Sequence, residues 1–404
     1  MISARILAER YGQRQIISDV DDNRTGLPVT MLLSPDDKRP SGKSGKMKYI
    51  QPDYYEKFTC LAGHCPLSCC RGWNISIDEA SLDCYGTLPG RIGREVRNAI
   101  DWETECFLTG NDGRCALQTG DGLCALQLTA GEEALCDTCR LYPRHTEEFK
   151  GCREYSLNLS CPEAARLILF DHEALPVLQE TTDDAEEDIE FDSFDEAVFA
   201  NLLQLRERIF RKLLSSKDMA VPGTPWMDAT GFIPAELIPA EMSPERLRCF
   251  FEKERALLEN LEVIDPSWPD VRTQMVRSLQ DLFGRDNAQQ LVSGYQKEWG
   301  DTPLRRLYAY FIYVYLAGAV YDDDIPGKLS YSAFCVTWVH LLWLAVRHAG
   351  NRPLPEEMMA VLAARLARET EHDDDNFERI AAEAKICACF SCQPVIELES
   401  LMGV

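Results

Sequence analysis

The chain has 404 residues, a hydrophobic content of 45% and a charged content of 27%, which are typical of a soluble globular protein and exclude wholesale disorder. Its 42 basic and 66 acidic side chains give a net charge of −24, so the surface repels nucleic-acid phosphates and anionic lipid, and we expect neither nucleic acid nor membrane as a partner. A surface of this sign attracts basic partners, including lysine-rich protein surfaces.

The first ten residues contain no apolar run of seven, so no secretory signal is predicted and the expected compartment is the cytoplasm. The longest apolar stretches, Leu307–Val320 and Ala333–Val346, have about 14 residues, whereas a membrane span needs about 20. Thiols stay reduced in the cytoplasm, so clustered cysteines indicate metal or redox chemistry. Structural disulfides and inert core thiols are the alternative.

Residues 1–46 are rich in proline and glycine and end in a linker-like run, Arg39–Lys46. Met47 opens a stretch that resembles a natural protein start. We therefore predict that residues 1–46 are a dispensable extension or linker and that residues 47–180 form a cysteine-rich metal domain.

The cysteine-rich region, defined here as residues 60–161, contains twelve of the seventeen cysteines. Cys60, Cys65, Cys69 and Cys70 lie four to five residues apart, or adjacent, in one loop, a spacing that can wrap an iron–sulfur cluster or a zinc ion. Neighbouring side chains in an extended chain point in opposite directions, so Cys69 and Cys70 are not expected to serve one centre in the same way.

Five further thiols lie beside turn residues, which suit a backbone that folds around a metal. With the four of the first loop, they complete the predicted ligand set: Cys115, Cys124, Cys136, Cys139 and Cys161. The remaining cysteines of the region lack that turn context and are predicted to be core thiols: Cys84, Cys106 and Cys152. Cys249 and Cys335 fall on helical stripes, which indicates packing, and metal ligation is also not favoured for Cys387, Cys389 and Cys392.

Residues 181–196 are strongly acidic and are predicted to be a linker, and residues 197–404 show helical periodicity throughout. A stripe from Phe199 to Leu214 predicts one helix, and Ser243-Pro244-Glu245 is a strong helix start. Further helices are predicted over Leu304–Val320 and Ala333–Val346, both buried, and over Pro355–Arg368 and Asn376–Cys389. The expected fold is mainly α, with an irregular cysteine-rich metal-binding domain followed by an all-helical domain.

Three motifs in combination resemble the signature of the bacterial flagellin lysine-N-methylases: Gln51–Asp78, with its Cys65-Pro-x-x-Cys69-Cys70-x-Gly-Trp73 core, Cys139-Arg-x-Tyr-Pro-Arg144, and Ser160–Ala165. The N-terminal half is also similar to cysteine-rich zinc- or iron-chelating domains. The resemblance implies methyl transfer to lysine side chains of flagellin in the cytoplasm, with a [4Fe–4S] cluster and S-adenosylmethionine as the methyl donor. Zinc is the alternative metal.

The sequence itself contains no glycine-rich strand-to-helix loop of the usual methyltransferase fold, and the donor site is not visible in it. A lysine must lose a proton before it accepts a methyl group, so a carboxylate or tyrosine is needed. Within the family-like motifs the candidates are Asp78, Tyr142 and Glu163, each of which has a structural alternative as a cap, turn or ion-pair residue. Arg140 and Arg144 are candidates for binding the carboxylate of the donor, or for neutralising an anionic thiolate cluster.

Three functions therefore compete on the sequence. The motif set favours a metal-dependent protein-lysine methyltransferase. The missing donor loop favours a binding module in which the cysteines only stabilise the fold. The cysteine count alone favours a metal-chelating or electron-transfer protein without methyl-transfer activity.

Overall fold

The computed structural model describes residues 44–171, 177–186, 194–215 and 243–386. Most of residues 1–46, and also Cys387, Cys389 and Cys392, lie outside the described residues. The dispensable extension and the absence of metal ligation at the three C-terminal thiols therefore stay predictions.

Helices form most of the described chain, as predicted. Short helices dominate the first half and long ones the second, and their bounds are α1 (Glu79–Thr87), α2 (Gly90–Asn98), α3 (Ala125–Ala130), α4 (Asp137–Leu141), α5 (Pro162–Phe170), α6 (Glu196–Ser215), α7 (Pro244–Glu259), α8 (Trp268–Phe283), α9 (Ala288–Trp299), α10 (Thr302–Tyr315), α11 (Ala319–Asp322), α12 (Ile325–Gly350), α13 (Glu356–Glu371) and α14 (Asp374–Ile386). Single 3-10 turns lie at Tyr55–Lys57, Ala62–His64, Glu132–Ala134 and Leu316–Gly318.

A four-stranded mixed sheet corrects the expectation of an irregular first half. Its order is β4-β5-β1-β6, in which β1 pairs parallel with β5 and antiparallel with β6, and β4 pairs antiparallel with β5. A separate pair, β2-β3, lies within the cysteine-rich region. The strand bounds are β1 (Ser44–Pro52), β2 (Ile100–Asp101), β3 (Cys106–Phe107), β4 (Arg144–Phe149), β5 (Cys152–Leu157) and β6 (Leu178–Glu186).

The sheet could not be predicted from the hydrophobic pattern, because polar residues occupy some of its inward-facing positions. On β5 the buried positions include Cys152, Glu154 and Ser156, so the alternation is not one of apolar with polar residues. Four of the nine residues of strand β6 are acidic, and acidic residues are depleted in strands. Strand β6 also overlaps the segment expected to be an acidic linker, and β1 begins at Ser44, so the sheet crosses two of the predicted boundaries.

Helices α6 and α10 cover one face of the sheet. Arg206 of α6 makes two hydrogen bonds of 2.7 and 2.6 Å to the buried carboxylate of Glu154 on β5. The Tyr313 hydroxyl of α10 donates to the backbone oxygens of Ile50 and Tyr155, each at 3.0 Å. Because these partners lie on the two central strands, the two helices hold the middle of the sheet in place.

The helical region, defined here as residues 196–386, confirms the helices predicted within the described residues. Helix α6 covers the stripe from Phe199, and the side chain of Ser243 caps α7 by accepting from the backbone nitrogen of Arg246 at 3.4 Å, with Pro244 at the first turn. Pro355 precedes α13 directly, and α14 occupies the last predicted helical segment up to Ile386. The predicted helix at Leu304–Val320 ends at Tyr315 and continues through a 3-10 turn into α11.

Helix α12 is the centre of the core. Its 26 residues make it long and apolar enough to cross a membrane by length and composition, although 94% of its most apolar window is buried inside the protein. Helix α10 is buried as predicted, and its buried side chains include four tyrosines: Tyr308, Tyr310, Tyr313 and Tyr315. Both helices therefore pack as the core of a globular fold.

The described residues form three apolar cores, and the smallest of them packs the sheet against α6 and α10. We call the other two the larger core and the smaller core. The larger core runs from Tyr54 to Ala384 and includes α5, which lies directly after the last predicted ligand, Cys161. The smaller core has eleven buried residues, all between Ile75 and Cys136, and two of them are cysteines. The cysteine-rich region thus has little apolar core of its own.

Candidate functional site

All nine predicted ligand thiols lie in the described residues and none forms a disulfide. They fall into two groups around the vicinal pair Cys69-Cys70. We call them the outer thiols, which comprise Cys60, Cys65, Cys69 and Cys161, and the inner thiols, which comprise Cys70, Cys115, Cys124, Cys136 and Cys139.

The outer thiols are brought together by one arginine. The fully buried guanidinium of Arg368 donates to the backbone oxygens of Leu67 at 2.8 Å and Ser68 at 3.1 Å, within the first cysteine loop. It also donates to the backbone oxygen of Ser160, beside Cys161, at 3.4 Å. One side chain of α13 therefore joins the loop that carries three of the outer thiols to the start of α5, which carries the fourth.

The inner thiols surround the smaller core. Cys115 and Cys136 are buried members of that core, and Cys70, Cys124 and Cys139 pack against it. The backbone nitrogen of Cys115 donates to the oxygen of Cys70 at 2.9 Å. Gln118 links Cys115 to Cys124: its backbone nitrogen donates to the backbone oxygen of Cys115, and it forms a β-bridge with Cys124.

Two similar turns present Cys115 and Cys124. Each thiol follows a glycine at the second position before it, and both glycines, Gly113 and Gly122, have positive φ angles of 75° and 79°. L side chains rarely adopt this conformation, so glycine is required for the chain to reverse there. The turn chemistry predicted from sequence is confirmed at these two thiols.

The vicinal pair shares a proton. The thiol of Cys69 donates to the sulfur of Cys70, and this hydrogen bond lowers the pKa of Cys70 to about 7 while it raises the pKa of Cys69. Ser68 and the Arg368 guanidinium also favour the Cys70 thiolate. Cys70 therefore has strong thiolate character near neutral pH, which is the form that binds metals.

A second coupled pair occurs at the start of α4. A hydrogen bond from the thiol of Cys139 lowers the pKa of Cys136 and raises that of Cys139. Burial raises the pKa of the other buried thiols, to about 11 for Cys115 and for Cys161. Without a cation these thiols are neutral at pH 7, so a bound metal would have to displace their protons.

Among residues 44–171, 177–186, 194–215 and 243–386, no three His, Cys, Asp or Glu side chains converge closely enough to hold a metal ion as they stand. The donor set itself suits thiophilic metals, because nine unbridged thiols lie in two groups and two thiol pairs already share protons. Metal binding by these residues remains a prediction.

An aromatic cluster lies beside the outer thiols. The Trp73 ring meets the ring of Tyr142 edge-on at a centroid distance of 4.9 Å and the ring of His372 at 4.2 Å, and Arg368 lies over it at 5.2 Å. The Tyr142 hydroxyl lies 2.9 Å from the Oγ of Ser160. Of the three predicted catalytic residues, Tyr142 is the one that the fold places in this cluster.

Ser160 organises the polar side of the aromatic cluster. Its Oγ lies 2.5 Å from Oδ1 of Asn158, an oxygen that can only accept, and 2.6 Å from Nε2 of His372. The single hydroxyl proton of Ser160 therefore goes to Asn158, and both Tyr142 and His372 donate to Ser160. Burial lowers the pKa of His372 well below its usual value, so its ring is neutral.

Asp78 and Glu163 have structural partners. Asp78 caps α1 by accepting from the backbone nitrogen of Ser81 at 2.9 Å, and its second oxygen accepts from the nitrogen of Asp137 at 2.9 Å. Glu163 forms an ion pair with Arg166 one turn later, with contacts of 2.6 and 3.0 Å. Asp78 thus ties the Cys136–Cys139 turn to the strand-like segment after Trp73.

The two arginines predicted to bind the donor lie in different surroundings. Arg140 forms an exposed ion pair with Asp137 at 2.5 Å. Arg144 begins β4 and lies over the rings of Tyr55 and Phe58, at 5.8 and 5.2 Å. The arginine that contacts the cysteine loop is Arg368, which sequence reasoning treated only as a helix residue.

Arg368 and His372 were not predicted from the sequence because both lie more than two hundred residues along the chain from the nine predicted ligand thiols. The one available signal was Arg368 itself, a charged residue on the apolar face of an amphipathic helix, between Ala367 and Glu369. A buried cation requires an acceptor elsewhere in the fold.

The remaining cysteines give mixed outcomes. Cys152 is buried in the sheet and Cys335 is buried in α12, as predicted, and Cys249 packs against the larger core. The expectation that Cys84 is a core thiol is wrong, because Cys84 is exposed on α1. On this short helix the inward position next to it is taken by Tyr85, whose hydroxyl donates to the backbone oxygen of Ala134 at 2.8 Å.

With this geometry established, comparison with known proteins defines the class. Two proteins named lysine-N-methylase, from Salmonella typhimurium and Salmonella choleraesuis, are each 30% identical to this chain over 140 residues, which cover 32% of this chain and 35% of theirs. The chain therefore matches about a third of the length of these two relatives. No protein-family model and no solved structure matches it.

A third relative narrows the assignment. The flagellar biosynthetic protein FliU of Salmonella muenchen is 31% identical over 134 residues, and the match covers 79% of that protein and 31% of this chain. The chain belongs to the flagellin lysine-N-methylase family, as the resemblance of its motifs implied.

Proposed function

We propose that this protein is a lysine N-methyltransferase that methylates lysine side chains of flagellin in the cytoplasm. S-adenosylmethionine is the methyl donor, and thiols of the cysteine-rich region hold a [4Fe–4S] cluster, with zinc as the alternative metal. The observation that carries the proposal is the match to FliU over 79% of that relative, together with relatives named lysine-N-methylase.

The thiol arrangement supports the metal part of the proposal. All-sulfur donor sets suit iron–sulfur clusters and zinc. Three thiols of the cysteine-rich region would hold such a cluster, and the cluster would supply an iron for binding the amino and carboxylate groups of the donor. Arg368 would compensate the negative charge of such a centre, since its guanidinium is fixed by four backbone oxygens and favours the thiolate form of Cys65 and Cys70.

Tyr142 is the residue best placed to act on the substrate lysine. Burial raises its pKa well above the usual value, so the phenol stays protonated, and its hydrogen is directed to Ser160. Its oxygen lone pairs remain available to accept a hydrogen bond from an incoming amine. We therefore assign Tyr142 the role of orienting the lysine amine, rather than that of accepting its proton.

The apolar surroundings of Tyr142 favour the nucleophilic form of lysine. An ammonium group has no lone pair, and its pKa falls when it leaves water or approaches a fixed cation. The rings of Trp73 and Tyr142 and the guanidinium of Arg368 provide both conditions. The net charge of −24 would attract a lysine-bearing protein substrate over a longer range.

The test combines anaerobically purified full-length protein, methyl-labelled S-adenosylmethionine and flagellin. We expect label in flagellin and mass increments of one methyl group on lysine-containing peptides. Tyr142→Phe, which keeps the ring and removes the hydroxyl, should lower the rate by about 10-fold to 100-fold. Cys249→Ser is the matched control, because Cys249 lies on α7 and packs against the larger core. This variant should keep the wild-type rate.

Unlabelled flagellin in the presence of a metal-loaded protein would contradict the proposal. If that protein also carried a reducible chromophore, the electron-transfer alternative would replace methyl transfer. A wild-type rate for Tyr142→Phe would remove Tyr142 from the reaction and leave the methyltransferase assignment in place.

A further inference from the structure

A fully buried carboxylate lies next to the aromatic cluster. Glu371 is the last residue of α13 and is only 2% exposed. It precedes His372, whose ring meets the ring of Trp73 at a centroid distance of 4.2 Å. The candidate proton acceptors predicted from the sequence have other partners or stay protonated, so Glu371 is a carboxyl group at the site with no role assigned to it.

The two oxygens of Glu371 have different surroundings. Oε2 accepts from the hydroxyl of Tyr315 at 2.8 Å and from the hydroxyl of Tyr310 at 3.3 Å. Within the described part of the chain, Oε1 is buried and has no hydrogen-bond partner. Burial of a polar atom without a partner costs free energy, and the cost is larger for a charged group. A donor, and above all a cation, is therefore the group that Oε1 lacks.

Tyr310 connects Glu371 to the aromatic cluster. Its hydroxyl accepts from the backbone nitrogen of Leu159 at 3.1 Å and donates to Glu371. Leu159 precedes Ser160, whose Oγ lies 2.9 Å from the hydroxyl of Tyr142. Two hydrogen bonds and one peptide unit therefore separate the carboxylate from the residue that holds Tyr142.

The surroundings of Glu371 fit the side chain of lysine. Trp73, Tyr142 and His372 are half-buried, so a ligand that enters from solvent meets the rings first and the fully buried carboxylate last. A lysine has an apolar stem of four carbons for the rings and a compact ammonium for a single free oxygen. The wider guanidinium of arginine pairs with both oxygens of a carboxylate, and here Oε2 is already occupied by two hydroxyls.

The titratable groups that face Glu371 from α10 and α12 are neutral at pH 7. Tyr310 and Tyr315 of α10 and Tyr331 and Cys335 of α12 interact with it electrostatically, and burial raises the pKa of each. Burial also raises the pKa of Glu371. The pKa of an ammonium falls in the same surroundings, so an ammonium and a carboxylate that meet here are favoured to exchange a proton.

The titratable neighbours of Glu371 in the chain have partners of their own. Arg368 donates to the backbone oxygens of the first cysteine loop, and Glu369 accepts from two backbone nitrogens before α8. His372 is neutral and donates to Ser160. None of these three side chains hydrogen-bonds to the free oxygen of Glu371.

We propose that Oε1 of Glu371 binds the ammonium group of the substrate lysine and accepts its proton. One N–H bond of the ammonium breaks and an O–H bond forms on Oε1. The electron pair left on the nitrogen then forms the bond to the methyl carbon, while the electrons of the C–S bond stay on the sulfur of the donor. The inference rests on the proposed function, in which Tyr142 orients the same amine.

The first measurement uses full-length wild-type protein purified without oxygen, with n-butylammonium chloride as a mimic of the lysine side chain and without methyl donor or flagellin. Hydrogen exchange read by mass spectrometry should show amide protection increased by about 3-fold or more at the end of α13 and at Tyr310–Tyr315. Equal concentrations of sodium chloride or n-butanol should not produce it. No added protection, or protection at other helices only, would overturn the proposal without the use of any variant.

The second measurement compares variants by titration with the same probe. Glu371→Gln keeps the size of the side chain and removes its charge, so n-butylammonium should bind about 10-fold more weakly or worse. Glu357→Gln, an exposed position on the same helix, is the matched control and should bind as the wild type does. Equal affinities of wild type and Glu371→Gln would contradict the proposal. Loss of S-adenosylmethionine binding in Glu371→Gln would assign the carboxylate to the amino group of the donor instead of lysine.

Methylation of flagellin gives a separate result. At neutral pH, Glu371→Gln should act about 100-fold more slowly than wild type or worse. This deficit should shrink as pH rises towards the pKa of free lysine, about 10.4, because solvent then removes the proton. A full rate, or a deficit independent of pH, would leave Glu371 a structural residue. If wild type itself does not methylate flagellin, the proposed function fails, and the binding of n-butylammonium alone decides whether the ammonium site exists.

Discussion

The cysteine-rich region and the helical region of this protein solve the problem of stability in different ways. The helical region buries tryptophans, tyrosines and leucines of long helices around α12, where residues such as Trp338 and Trp343 are almost fully buried. Within the cysteine-rich region, residues 60–141 have short helices, two-residue strands and a core of eleven buried residues. A core of that size contributes little, so the metal binding proposed for the thiols would add stability that the apolar area does not provide.

Removal of metal is the strongest way to separate the two regions. Because the inner thiols line the small core, chelation under anaerobic conditions should unfold residues 60–141 and leave α12 folded. Hydrogen exchange read by mass spectrometry should show a loss of amide protection of roughly 100-fold or more over residues 60–141. Protection in Ile325–Gly350 should change by less than about 3-fold.

Equal loss of protection in both regions would mean that they unfold as one cooperative unit. Unchanged protection over residues 60–141, with metal demonstrably removed, would mean that the small core is stable by itself. Either result would end the distinction drawn between the two regions.

Arg368 joins the helical region to the first cysteine loop, and its removal should have the next largest effect. Arg368→Met keeps the apolar stem but leaves the buried backbone oxygens of Leu67, Ser68 and Arg71 without this donor. We expect a loss of about 4 kcal/mol in the free energy of unfolding, because each hydrogen bond from a charged donor contributes about 1.5–3 kcal/mol. Urea denaturation at neutral pH measures it.

Arg248→Met is the control for this change. Arg248 forms an exposed ion pair with Glu252 one turn away on α7, so its replacement should alter the free energy of unfolding by less than about 0.5 kcal/mol. An equal effect of the two substitutions would show that Arg368 contributes no more than a surface arginine.

The contrast between the helical region and the cysteine-rich region also explains which elements could be predicted from the sequence. Helix periodicity located the long helices, and the Ser243-Pro244 start was correct to the residue, because a buried helix face repeats every three to four residues. The four-stranded sheet was missed because Glu154 faces inward and is neutralised by Arg206, a partner fifty-two residues away. Local patterning contains no information about such a partner.

At the candidate site, sequence spacing selected nine thiols as metal ligands, which stays a prediction, and it did not predict how the fold groups them. Their grouping depends on how Arg368 and the turns at Gly113 and Gly122 fold the chain. Tyr142 could be predicted from its motif, whereas His372 could not, because its contact with Ser160 joins two ends of the molecule. Candidate residues within one loop can be predicted from the sequence, whereas contacts between elements that are distant in the chain cannot.

The smallest of the expected effects concerns the helical region alone and separates its pH response from that of the thiols. Glu369 is fully buried, and its carboxylate accepts from the backbone nitrogens of Ile264 and Asp265, each at 2.9 Å. Burial nevertheless raises its pKa from 4.5 to about 7. The folded state therefore binds a proton more tightly than the unfolded state, so this group makes the protein less stable by about 2 kcal/mol as pH rises from about 5 to 7. Its effect levels off about one pH unit above the folded-state pKa.

Urea denaturation of wild type and Glu369→Gln across that pH range isolates this contribution, because all other titrating groups are shared. The glutamine variant should show a flatter dependence of the free energy of unfolding on pH, and Glu357→Gln, an exposed position on the same helix, should keep the wild-type dependence. Identical slopes for wild type and Glu369→Gln would show that the carboxyl does not titrate in this range. Glu369 is adjacent in the chain to Arg368, which contacts the cysteine loop. A flatter slope for Glu369→Gln with unchanged metal content would therefore also show that α13 responds to pH independently of the thiols.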